Sequence, residues 1–132
     1  LIANQWLRRI AGKDLVLKIS PYVEKKTGGF SDAIGIHIEG AGGGHGYRAA
    51  SGGQRRRIDV ALVLALAELA HAANQFKGGT LFFDEVFDSL DQEGVEAVST
   101  ALASMSRERA VVVISHSQAL AEQLNPRAHF HI

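Results

Sequence analysis

Apolar residues recur along this chain with two periods, and the changes of period divide it. Ile2, Trp6, Arg9 and Ile10 share one face at helical spacing, so residues 2–10 form a short helix that Gly12 closes. The pattern fits an ordinary short helix and the end of a longer one equally well. From Asp14 to Glu24 the period drops to two, with Leu15, Leu17, Ile19 and Val23 available for one face of a strand. Thr27-Gly28-Gly29 marks a turn, and Phe30 to Glu39 returns through Ile34, Ile36 and Ile38, which predicts a β-hairpin. His37 falls on the opposite face and is expected in solvent. Gly40 to Gly46 is rich enough in glycine to be a flexible connector.

The second half changes character. Ile58, Leu62, Ala65, Leu66 and Leu69 form a helical stripe that Val60, Val63, Leu64 and several alanines widen nearly all round. Such a helix is expected to be buried in a larger assembly. Thr80-Leu81-Phe82-Phe83 is a short apolar run ending in Asp84-Glu85, as a buried strand would be. Asp88 to Asp91 leads into a helix carried by Val95, Val98, Leu102 and Met105, and Val111 to Ile114 has the uniform apolarity of a central parallel strand. A helix over 118–124 stops before Pro126, and 128–132 is predicted as a last strand, with His129 and His131 exposed on one face. The order strand, helix, strand, helix, strand predicts an α/β fold with a parallel sheet and flanking helices.

Composition narrows the picture. With 132 residues, 46% of them hydrophobic, the chain can build one core, as a domain or a lobe of one. Fourteen basic and fourteen acidic side chains cancel, so any nucleic-acid contact must be a local patch. The absence of cysteine excludes disulfides and thiolate metal sites and suits a cytoplasmic setting. No apolar run is long enough to span a bilayer. Leu1 stands where an initiator methionine would, so the chain is expected to be processed or part of a longer protein.

Candidate chemistry gathers at three places. Ser51-Gly52-Gly53-Gln54 precedes the long helix, where unpaired amides at a helix start attract anions. An N-cap that binds nothing is the simpler alternative. Arg55, Arg56 and Arg57 occupy the first turns and oppose the helix dipole by about 0.3–1 kcal/mol per exposed charge, a conflict that a neighbouring anion would relieve. Asp84 and Glu85 close an apolar strand at the edge where α/β sheets bind ligands. Asp84 suits magnesium beside a phosphate, while Glu85 can take a proton from water. His116 ends the next strand, within reach of a terminal phosphate. The pattern G-x-x-x-x-G-K-[ST], which would hold a nucleotide's phosphates, occurs nowhere in the chain.

In this order the motifs resemble the ABC-type ATPases. Ser51 to Gln54 is similar to their signature, Leu81 to Glu85 to the Walker B strand, Ser89-Leu90-Asp91 to the D-loop, and Val113 to His116 to the switch-histidine loop. Ala50 departs from the leucine usual before the signature. The initial helix and hairpin, with the non-proline segment Asp84 to Asp91, resemble the C-terminal lobe of SMC-like ATPase heads of the SbcC type, which act on DNA double-strand breaks. The resemblance implies a helix at the end of a coiled coil (1–12), a hairpin (13–40), a linker (41–49) and the α/β part (50–132), with the Walker A lobe elsewhere in the protein. It further implies ATP and Mg2+ as ligands, with Asp84 on the metal and Glu85 and His116 catalytic. Ser51, Gly52, Gly53 and Gln54 would contact ATP on a second head, with Ser89, Leu90 and Asp91 signalling across that interface. Partners would be the N-terminal lobe, a second head in a homodimer, a nuclease subunit and DNA, without a membrane. The setting would be the nucleoid, or the nucleus in a eukaryote, and the lobe alone would be inactive. A transporter nucleotide-binding domain and a non-catalytic SMC-type scaffold head are the competing readings.

Overall fold

A computed structural model describes residues 1–24, 27–31, 34–40, 47–73, 79–126 and 128. Helix α1 (Ile2–Ile10) is followed by strands β1 (Val16–Ser20), β2 (Val23–Glu24), β3 (Phe30–Ser31) and β4 (Gly35–Glu39). Helix α2 (Gly52–Ala73) leads to β5 (Thr80–Asp84), α3 (Gln92–Met105), β6 (Ala110–Ile114) and α4 (Gln118–Leu124). The architecture is α/β, and β5 and β6 pair in parallel as the strand-helix-strand order requires. The predicted strand over 128–132 lies outside the described residues except for Ala128, which is a bend. So do His129, His131 and the glycine-rich stretch 41–46.

The hairpin is broken in two. Strand β1 pairs antiparallel with β4 and β2 with β3, but Ser20 faces Gly35 whereas Val23 faces Ser31. Two residues therefore separate the ladders on one side and three on the other. Pro21 sits at the break, where it has no N–H to offer a ladder. The Ser20 hydroxyl donates to Tyr22 O at 2.7 Å and fastens the corner. Of the predicted inner face, Leu15, Leu17 and Ile38 are buried, while Ile19, Ile34 and Ile36 are exposed. The cause is the reach of α1. Its Asn4 amide accepts from Leu17 N at 2.7 Å and donates to Leu17 O at 3.3 Å, so the helix covers only the near end of the ladder.

Packing of α1 on α2 forms the centre of the core. Leu7, Ile58, Leu64 and Phe87 are fully buried, each contributing roughly 1.5–3 kcal/mol of apolar transfer. Trp6 is buried and donates its indole N–H to Glu68 Oε2 at 2.5 Å. Along α2 the buried residues are Ile58, Val60, Ala61, Leu64 and Ala65, whereas Val63, Leu66 and Leu69 are exposed. The helix is apolar on more faces than this chain covers.

The β5–β6 sheet shows the same asymmetry. Phe83 is 3% exposed and packs on Phe87 with ring centroids 5.0 Å apart and planes tilted by 52°, while its neighbour Phe82 is 70% exposed. Val112 and Ile114 share the uncovered face with Phe82, across from Phe82 and Asp84 in the register.

Candidate active site at the C-terminal edge of the parallel sheet

The carboxylates emerge where β5 stops. Asp84 is the strand's last residue and lies by alternation on the same face as Phe82. It is exposed, so this chain incurs no desolvation cost for it. Among the described residues its carboxylate has no hydrogen-bond or ion-pair partner. One free, hard oxygen donor fits magnesium, which takes one or two protein carboxylates and completes its shell with phosphate and water. No group of three metal-ligating side chains is present among the described residues.

Glu85 leaves the strand line. Its amide still donates to Ile114 O at 2.8 Å, yet its φ is 53°, in the left-handed region. A non-glycine residue there costs of order 1–3 kcal/mol and needs its surroundings to hold it. The turn directs the side chain to His116, whose Nε2 lies 3.1 Å from Glu85 Oε1. Two residues distant in sequence thus meet above the sheet edge, both open to solvent.

A second set of contacts braces this pair. Asp88 accepts the Ser115 hydroxyl on Oδ1 and the His116 amide on Oδ2 at 3.5 Å. Ser115 Oγ also accepts from Ser117 N at 3.0 Å, and Ser117 caps α4 through Leu120 N. Asp88 therefore ties the loop after β6 to the loop after β5. The sequence placed Asp88 only as a helix approach; the cap of α3 is Asp91, which accepts from Gly94 N at 3.0 Å.

The Ser51–Gln54 stretch lies at the start of α2. Ser51 Oγ accepts from Gln54 N at 3.2 Å, the geometry of an N-cap. The amides of Gly52 and Gly53 open the helix and have no partner within it. Ser51 and Gly52 are exposed, and Gly53 and Gln54 are partly so. Ala50 is 4% exposed and packs into the core, which accounts for a small residue there. A Cβ on Gly53 would fall 2.8 Å from Asp91 Oδ2, so glycine lets the start of α2 pack this closely on Asp91. Gly94 likewise makes room for Arg57, whose Cγ would lie 3.1 Å from its Cβ. Ser89 is exposed with a φ of 63°, and Leu90 is half-buried against the core.

Two of the three arginines turn inward. Arg57 is 18% exposed and reaches Glu93 Oε2 at 2.5 Å, with Asp91 Oδ1 3.4 Å from its Nε. Arg56 donates to the carbonyls of Asp88 and Val86, each at 2.9 Å, and to Glu85 O at 3.3 Å. The dipole conflict is thus relieved by groups of the same chain. Arg55 remains exposed. Sequence reasoning missed Arg56, Asp88 and Ser115 as parts of the site, because their partners lie 27 to 32 residues away. The one signal was the misplaced charge on α2.

The site is therefore two clusters joined by α2. Asp84, Glu85 and His116 form one; Ser51 to Gln54 and Asp91 form the other. Tyr47, just ahead of α2, donates to Asp59 Oδ1 at 2.8 Å, and this bond to a carboxylate raises its phenol pKa.

Comparison with known proteins agrees with this geometry. Residues 40–104 match a protein-family model described as SbcC/RAD50-like, Walker B motif. Exonuclease subunit 2 of Escherichia phage RB69 is 39% identical over 71 residues, 53% of this chain and 12% of the relative. The SbcC component of the SbcCD nuclease of Vibrio cholerae is 30% identical over 134 residues, 96% of this chain and 13% of the relative. The chain thus spans about an eighth of the length of these relatives. A solved structure from work on ATP-driven dimerization and DNA-stimulated activation of SMC ATPases shares the fold, with a TM-score of 0.65 at 18% identity. That match covers 94% of this chain and 70% of the solved one. In sequence the chain is similar to SbcC/RAD50-like proteins across the Walker B region, and in fold it is similar to SMC ATPase heads.

Proposed function

We propose that this chain is the C-terminal lobe of an SMC-like ATPase head that hydrolyses ATP held between two heads. The observation that carries the proposal is the Glu85–His116 pair at 3.1 Å, beside the free carboxylate of Asp84, on a turn gripped by the signature helix. Asp84 would hold Mg2+, which supplies charge neutralisation on the phosphates. Glu85 orients and deprotonates the attacking water, and His116 holds Glu85 by one ring nitrogen while reaching toward the terminal phosphate. Ser51, Gly52, Gly53 and Gln54 offer a hydroxyl, amides and a carboxamide to ATP bound by a second head. Asp91, in contact with Gly53, carries the state of that interface into α3. In phosphoryl transfer the protein mainly positions groups and stabilises charge, so dividing them between heads makes assembly a condition of the chemistry.

Two features support a missing lobe. The chain lacks a lysine-containing phosphate loop. Its parallel sheet has one uncovered apolar face, whereas parallel sheets are ordinarily covered on both. The N-terminal lobe of the same protein would cover that face and bring ATP to Asp84. In this reading residues 1–12 end a coiled-coil helix, 13–40 form the hairpin, 41–49 the linker, and 50–132 the catalytic α/β part. The relatives are named as nuclease subunits, which supports work on DNA ends beside a nuclease. No helix among the described residues is long and apolar enough to cross a membrane.

The test is ATP turnover by the whole parent protein with Glu85→Gln. Loss of general-base help predicts a fall of about 10²–10⁴-fold in kcat, with ATP still bound and heads trapped as dimers. Unchanged turnover in this variant would show that Glu85 is not the base.

A further inference from the structure

The turn that carries Glu85 is held from outside by one side chain. Arg56 donates from Nε to Asp88 O at 2.9 Å, and from Nη2 to Val86 O at 2.9 Å and Glu85 O at 3.3 Å. Three carbonyls converge on one guanidinium because the chain reverses here, with positive φ at Glu85 and Ser89. A planar fork of five N–H donors matches such convergence, and an ammonium does not. Arg56 lies on the second turn of α2, two residues beyond Gln54, so it joins the signature end of the helix to the backbone of the catalytic glutamate. The linkage continues through Asp88 to Ser115 and His116, and through His116 back to the Glu85 carboxylate.

We propose that Arg56 is the positioning residue for Glu85. It holds the glutamate's backbone in the left-handed conformation that brings the carboxylate to His116. By the same bonds it passes any shift of the signature end of α2 to the hydrolytic centre of the same head. The inference rests on Glu85 acting as base, as proposed above. Misplacement of a reacting group by about 1 Å can cost 10²-fold, so loss of the fork acts on the rate of the chemical step. Nucleotide affinity, which depends on other groups, stays nearly constant.

The experiment is steady-state and single-turnover ATP hydrolysis by the whole parent protein, with Arg56→Met, Arg56→Lys, Glu85→Gln and the double variant Arg56→Met/Glu85→Gln. Arg56→Met is expected to lower kcat by about 10- to 100-fold with KM for ATP changed less than about 2-fold. Arg56→Lys, which keeps the charge and stem and is the safer variant for folding, is expected to recover part of that rate. In the Glu85→Gln background Arg56→Met is expected to change the residual rate by less than about 2-fold, because a residue acting through Glu85 has nothing left to act on. Wild-type kcat in both Arg56 variants would overturn the inference, as would a full repeat of the Arg56→Met loss in the Glu85→Gln background. Glu85→Gln turning over like the wild type would remove Glu85 as base, and this inference with it. Glu85→Gln inactive beside fully active Arg56 variants would remove this inference alone.

Discussion

The two faces of the β5–β6 sheet differ sharply. Phe83 faces inward, 3% exposed and against Phe87, with Leu81, Val111 and Val113 packed beside it. Phe82, one residue earlier, is 70% exposed and shares its face with Val112 and Ile114. Asp84, the candidate metal ligand, lies on that second face. The chain is folded and internally bonded on one side of its catalytic strand and unfinished on the other. The polar groups follow the same division. Asp88, Ser115 and Arg56 are satisfied within the chain, whereas Asp84 is exposed. In the proposed reading stability and chemistry are thereby separated, one side supplying the frame and the other taking the ligand.

Truncating each phenylalanine in turn probes this contrast most strongly. Phe83→Ala is expected to destabilise this chain by about 3–5 kcal/mol, the usual cost of emptying a buried aromatic site. Phe82→Ala is expected to change it by less than about 0.5 kcal/mol, as at an exposed position, and to cost several times more in the whole head. Denaturant melts of both variants, in this chain and in the parent protein, check the contrast. Equal costs in this chain would mean that the outer face is already covered.

A smaller effect is expected at Asp91, which caps α3 and pairs with Arg57. Asp91→Ala should cost about 1 kcal/mol through the lost cap, since the ion pair is partly in solvent. Urea melts would show it, and a cost near zero would mean that Asp91 is not the effective cap. The least effect belongs to Tyr47→Phe, because the phenol is 38% exposed. Its bond to Asp59 raises the phenol pKa, so that contribution is complete below the ordinary tyrosine value and is lost as pH rises through the raised folded value. A stability difference below about 0.5 kcal/mol at neutral pH that vanishes at high pH is expected from thermal melts of the two proteins.

Much of this was legible in the sequence. The α2, β5, α3, β6 and α4 order follows from period and punctuation, and Asp84, Glu85 and His116 stand at strand ends where chemistry is expected. Their meeting, Glu85 with His116, comes from the structure, where two parallel neighbours end at one edge. What periodicity cannot say is which apolar face has a cover. Ile19, Ile36, Leu66 and Phe82 fit their stripes as well as Leu17, Leu64 and Phe83 do, yet they are exposed here. The break at Pro21 had a local signal in the missing N–H. The destinations of Arg56 and Arg57 had none, because a long side chain can choose among several anions and carbonyls once the fold brings them near.

Completion of the site from outside is the central claim. Its most direct test is ATP hydrolysis by the purified 132-residue chain, alone and after mixing with the phosphate-loop lobe of its parent protein. The expected result is no turnover by the chain alone, and turnover on mixing that rises faster than linearly with head concentration and disappears with Glu85→Gln. Turnover by the chain alone that Glu85→Gln abolishes would contradict it.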